Sequence, residues 1–71
     1  MKMELYRNGI PYTLVVHDGI ELLDHSFEYR VDVFVRGIYA GRTYLFRNTH
    51  IVADCFAFVE SCINRMVVSN A

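Results

Sequence analysis

Tryptophan is absent, proline and lysine occur once each, cysteine occurs twice, and the four glycines stand singly along 71 residues. Each scarcity removes a class of function. Isolated glycines build no loop to cradle a phosphate. No CxxC, HExxH or acidic calcium loop is present, so neither a metal nor a cofactor is expected. Nor is there an excess of charge of one sign. Seven Lys and Arg stand against eight Asp and Glu, for a net charge of -1, which gives no general attraction to duplex DNA or an anionic membrane. No apolar run approaches the roughly 20 residues of a membrane helix. The start, MKMELYRNG, is broken by Lys2, Glu4 and Arg7 and leaves no stretch for a signal peptide. The expected location is therefore cytoplasmic. Cys55 and Cys62 are seven residues apart on one expected helix, about 10 Å along its axis. That is too far for a disulfide, so both are expected to be reduced core residues.

What the chain does have is apolar and aromatic weight. It is 54% hydrophobic, with five Phe and five Tyr. Residues 1–71 are expected to form one domain, near the lower size limit for folding without disulfides, metals or partners. Such a chain either packs its core tightly or leaves apolar surface for a partner. Six of the seven cations are Arg, the side chain suited to bidentate pairing and to stacking on aromatic rings.

Two hairpins are legible. Residues 2–7 and 10–16 alternate around Asn8-Gly9, a pair that tolerates the positive φ angles of a tight turn. A two-residue loop there places Leu5 opposite Tyr12 and Met3 opposite Leu14. Residues 17–26 are ambiguous: Asp18-Gly19 signals a turn, and IELL reads as a short strand or a helical turn. Phe27, Tyr29, Val31, Val33 and Val35 then alternate with Glu28, Arg30, Asp32, Phe34 and Arg36, the pattern of a half-buried strand. A turn at Arg36-Gly37 pairs Val35 with Ile38, Val33 with Ala40, Tyr29 with Tyr44 and Phe27 with Phe46. That register puts Arg42 opposite Val31 on the apolar face. Either Arg42 lies at the margin and snorkels outward, or Gly41 marks a bulge that flips the residues after it.

From residue 49 to about 68 the period becomes helical. Ile51, Val52, Cys55, Phe56, Phe58, Val59, Cys62, Ile63, Met66 and Val67 fill one half of the cylinder, and His50, Asp54, Glu60, Ser61, Asn64 and Arg65 the other. Asn48 or Thr49 is the expected N-cap, Asp54 lies near the positive end of the helix dipole, and Ser69, Asn70 and Ala71 should fray. The predicted fold is α+β: an antiparallel sheet of four or five strands, built on two hairpins, with one C-terminal helix on one face.

Candidate chemistry is thin. His17-Asp18 and Asp24-His25 have the composition of a base with an orienting carboxylate, and Ser26 or a cysteine that of a nucleophile. Adjacent residues on an extended chain point opposite ways, so polar loop residues beside a turn are the better reading and no catalytic residue is assigned. The outer sheet row is richer. Phe34 and Tyr39 should be cross-strand neighbours, with Arg30, Asp32, Arg36, Thr43 and Leu45 close by. Such a mix suits a protein interface. It also suits stacking of unpaired bases, although Glu28 and Asp32 would repel phosphate. The bland alternative is a second small core, with Phe34, Tyr39 and Leu45 sheltered under residues 17–26.

In size and layout, carried by RNGIPY, VFVRGIYAGRTYLF and THIVADCFAFVESCI, the chain resembles small phage-encoded inhibitors, anti-CRISPR proteins among them. The resemblance implies no catalytic site and a role in occupying a surface of a larger bacterial complex. It assigns no residue. The residues alone point to Arg30, Phe34, Arg36 and Tyr39 as the partner-binding set. The partner is expected to be a protein of a host complex that handles nucleic acid. Single-stranded nucleic acid and a second copy of the chain are the alternative occupants of the same face.

Overall fold

Asn8 and Gly9 take φ angles of 51° and 79°, and Arg36 and Gly37 take 52° and 79°. Both pairs have the two positive φ values of the tightest hairpin turns. In the computed structural model, which describes residues 1–69, these turns join β1 (Lys2–Arg7) to β2 (Ile10–Val16) and β4 (Phe27–Val35) to β5 (Ile38–Leu45). Leu5 faces Tyr12 and Met3 faces Leu14, as the turn length requires. A two-residue β3 (Ile20–Glu21) pairs with the start of β4. Because β2 pairs with Val31–Val35 and His17 N–H donates to Arg30 O at 2.9 Å, β3 prolongs the β2 column past an irregular step at residues 17–19. The sheet is antiparallel throughout.

The inner face is apolar by alternation. Tyr12, Leu14 and Val16 of β2, Val31, Val33 and Val35 of β4 and Leu45 of β5 are buried together with Ile51, Cys55, Val59, Cys62 and Ile63. Those helical residues belong to α1 (Ile51–Asp54) and α2 (Phe56–Ser69). The single expected helix is thus interrupted at Cys55. The i→i−4 pattern nevertheless crosses the break, since Cys55 N–H donates to Ile51 O at 3.0 Å and Val59 N–H to Cys55 O at 2.9 Å. One apolar stripe therefore serves both helices. Val52 and Phe56 lie at its margin and are exposed. The Arg7 guanidinium covers the Phe56 ring 4.0 Å from its centroid.

Two expectations about the helix ends change. The N-cap is His50, with no side-chain cap bond, not Asn48 or Thr49. The connection is anchored instead by Arg47, whose Nε and Nη2 donate to the Asp54 carboxylate at 2.9 and 3.0 Å. Ser69 is still helical. The expected fraying of Asn70 and Ala71, and the place given to Val67 in the stripe, fall outside what is described here. Among the described residues no helix is long and apolar enough to cross a membrane.

Candidate functional site

Among the described residues no helix lies on the outer face of the sheet, and the side chains of that face are set by a bulge. The β4–β5 register shifts between Val33 and Phe34: Phe34 faces Tyr39, Val33 faces Gly41, and from there Asp32 faces Arg42 and Arg30 faces Tyr44. Gly41 adopts φ +152°, and a Cβ placed there would come within 3.0 Å of the Phe58 ring. Glycine meets both demands, and the extra residue reverses the alternation of everything after it. Arg42 and Tyr44 therefore face outward. Thr43 and Leu45, expected on the outer row, face inward opposite Val31 and Tyr29, and Leu45 is buried.

Along β4 and β5 the outer row now reads in three steps. Phe34 and Tyr39 pack edge to face, with ring centroids 5.6 Å apart. Next come Asp32 and Arg42, then Arg30 and Tyr44. Tyr39 and Tyr44 are 56% and 51% exposed. Beside Phe34, a shallow hollow of about 350 Å³ is lined by Lys2, Glu4, Thr13, Val15 and Gly37. A larger hollow of about 450 Å³ opens under the start of α1, lined by Met3, His50 and Val52 among others, and gathers none of the candidate residues.

Of the four residues read from sequence, Phe34 and Tyr39 are in contact and Arg36 stands beside them on the turn. Arg30 is four residues from Phe34 along the strand, roughly 13 Å away, with Tyr44 as its neighbour. Arg42 and Tyr44 complete the face, the outcome of the bulge alternative at Gly41. Their signal was the misfit of an Arg opposite Val31.

Asp32 is the electrostatic centre of the face. Arg42 donates through Nε to Oδ1 at 2.7 Å and through Nη2 to Oδ2 at 3.2 Å, and the His17 Nε2 lies 2.7 Å from Oδ2. These bonds, Arg42 first and His17 second, hold the Asp32 carboxyl down to about 2 against the opposing cost of its burial. Paired this way, a carboxylate that is only 9% exposed is stable. The other acids of the face are matched as well: Glu4 with Lys2 at 3.6 Å and Glu28 with Arg30 at 3.8 Å.

The sequence pairs considered for catalysis part company. His17 bonds Asp32, not Asp18; His25 Nδ1 lies 3.1 Å from Glu21 Oε1; and Ser26 Oγ–H donates to Asp24 at 2.5 Å. The sheltering loop is also absent. Residues 17–26 run in the plane of the sheet through β3 and a turn closed by Leu22 N–H to Ser26 O at 2.7 Å. They do not lie over Phe34 and Tyr39. Among the described residues no cluster of His, Cys, Asp and Glu could hold a metal. No family model, curated protein or solved structure matches this chain.

Proposed function

We propose that the protein is a non-catalytic binding module of the cytoplasm whose outer sheet face docks on another protein. In the fuller form of this reading it is an inhibitor carried by a phage or mobile element that blocks a bacterial complex handling nucleic acid. The observation that carries the reading is the uncovered face itself, on which Tyr39, packed on the partly buried Phe34, and Tyr44, beside Arg30, both stand half exposed. Aromatic side chains with Arg beside them are the usual anchors of protein interfaces. Arg36 adds to the case. Its φ of 52° is a conformation that Asn or Gly adopts more cheaply, so a long cation there is kept at a backbone cost. The inhibitory role rests on the resemblance in size and layout to small phage inhibitors.

A second reading, single-stranded nucleic acid, draws support from the bulge, which sets Tyr44 and Arg42 in one row with Tyr39 as a stacking surface. The charge arrangement favours protein. Glu4, Asp32 and Glu28 are each answered by a cation of the same face, which leaves little free positive charge to release counterions from phosphate. The deciding experiment pairs tagged capture from a bacterial lysate with gel shifts on single-stranded RNA and DNA. Stoichiometric capture of one host complex at high salt supports the proposal. A salt-sensitive shift of either nucleic acid without such capture contradicts it.

A further inference from the structure

β1 is the terminal strand of the sheet and pairs with β2 alone. Along a strand of an antiparallel pair, residues whose N–H and C=O point to the neighbour alternate with residues whose groups point away. Met1 and Val16 fix the phase: Val16 N–H donates to Met1 O at 2.7 Å, and the Met1 nitrogen donates to Val16 O at 2.9 Å. Met3, Leu5 and Arg7 therefore bond β2, while Lys2, Glu4 and Tyr6 turn their N–H and C=O groups to the open edge. Among the described residues nothing pairs with those groups. An open edge invites another strand, and proteins commonly blunt it. The opposite edge is blunted. There β5 carries the bulge at Gly41, and Arg65 Nη2 donates to Ala40 O at 2.7 Å. β1 has neither device. It runs without a register shift, its one Lys is matched by Glu4 at 3.6 Å, and its inner row, Met3 and Leu5, is half-buried and apolar. Beside Met3 the hollow of about 450 Å³ under α1, lined also by Ile51 and Val52, stands open.

We infer that this edge pairs with the same edge of a second copy, β1 antiparallel to β1 about a twofold axis through Met3. The phase lets only Lys2, Glu4 and Tyr6 exchange main-chain bonds, and charge selects the register. With Met3 opposite Met3 of the second copy, Lys2 lies opposite Glu4 of the second copy, and Glu4 opposite Lys2 of the second copy. Both are hydrogen-bonded pairs of opposite sign. Centring the axis on Glu4 would set Glu4 against Glu4, like charges that destabilise a sheet. Centring it on Leu5 would leave Lys2 facing the turn at Asn8. The strand is thus complementary to itself in one register. On the inner side Met3 meets Met3 and Met1 meets Leu5, where the hollow under α1 has room for added apolar side chains. Residues opposed across a ladder stay on one side of the sheet, so the two outer faces lie side by side on one continuous sheet. The pairing is independent of what docks on the Phe34–Tyr39 face.

The test is sedimentation of the full chain over a concentration series, with amide exchange read at the dimer's concentration. The expected mass is twice that of one chain, with slow exchange at Lys2 and Glu4 and fast exchange at Tyr6, which has no residue opposite. Lys2→Glu should weaken the dimer about tenfold or more, because both symmetric pairs become like charges. Lys2→Glu combined with Glu4→Lys should restore it. Glu4→Pro, which removes an outward N–H but no bond to β2, should give a folded monomer. Met3→Cys should join the two copies by a disulfide on mild oxidation, since opposed Cα atoms of a non-hydrogen-bonded pair are about 4.5 Å apart. Phe34→Ser, Tyr39→Ser should leave the dimer intact. A monomer at every concentration, no rescue by the charge swap, no cross-link through Met3→Cys, or protection extending to Tyr6 would each overturn the inference. So would a dimer lost on Phe34→Ser, Tyr39→Ser, which would put the second copy on the outer face. Protection of Lys2 and Glu4 only in the presence of a captured host protein would overturn it too, by making a strand of that protein the occupant.

Discussion

Arg42 grips both carboxylate oxygens of Asp32 across the β4–β5 pair, at 2.7 and 3.2 Å, while His17, just past the end of β2, approaches the same carboxylate at 2.7 Å. Three strands are thereby tied at one point on a face that has no apolar cover. With its carboxyl held to about 2, Asp32 binds a proton less readily in the fold than in the unfolded chain, where the ordinary value is about 4. The unfolded state therefore holds more protons between these values. The stabilisation, on the order of 2 kcal/mol, is present above about pH 4 and is lost as the pH falls through 2. Urea melts of the wild type should show this loss, and Asp32→Asn should be less stable at neutral pH and flatter across that window. Parallel pH profiles would mean that the pair contributes nothing.

Gly41 decides which way Arg42 and Tyr44 point. Gly41→Ala meets an unfavourable φ and the Phe58 ring at 3.0 Å. It should cost about 1–3 kcal/mol in thermal or urea unfolding. The same change at an ordinary strand position is near neutral or stabilising, so a stabilised Gly41→Ala would speak against the bulge.

Val59 is 2% exposed on the stripe shared by α1 and α2, whereas Asn64 faces solvent. Val59→Asp should bury an unpaired carboxylate and unfold a domain of this size. Asn64→Asp should change stability by less than about 1 kcal/mol. Equal losses in circular-dichroism melts would remove the case for a one-sided helix.

Cys55 and Cys62 are free and fully buried. Burial pushes both thiols up in pKa, so little thiolate is available to react. Native protein should label slowly with a thiol reagent and migrate identically with and without reductant. Fast labelling of both in the folded state would place the helices the wrong way round.

The features legible in the sequence were those written in short-range chemistry. Asn8-Gly9 set the first hairpin, the Val31–Val33–Val35 alternation set the buried row, and the spacing from Ile51 to Ile63 set the helical stripe. The pairing of Phe34 with Tyr39 followed from a two-residue turn at Arg36-Gly37. The bulge was visible only as a conflict, an Arg opposite Val31, because a lone glycine in a strand marks either a bulge or a weak spot. Residues 17–26, open between a short strand and a helical turn, resolve to the strand β3 at Ile20–Glu21. Asp18-Gly19 signals a turn, yet here it makes an irregular step within one strand column, and the reversal falls later, at His25 with φ 68°. The helix start could not be read from Asn48 or Thr49 because the Arg47–Asp54 ion pair fixes that corner from outside the capping position.

On the proposed function a partner, rather than the protein's own core, covers Phe34 and Tyr39. The direct measurement is the double variant Phe34→Ser, Tyr39→Ser, with its melting curve and its binding to the captured complex recorded side by side. The expected result is a cooperative fold with a nearly unchanged melting temperature and loss of binding, since such aromatic anchors are each often worth about 2 kcal/mol or more. Arg30→Ala or Arg36→Ala alone should weaken binding less, chiefly through the association rate. A double variant that melts normally and still binds, or one that unfolds, would contradict the account.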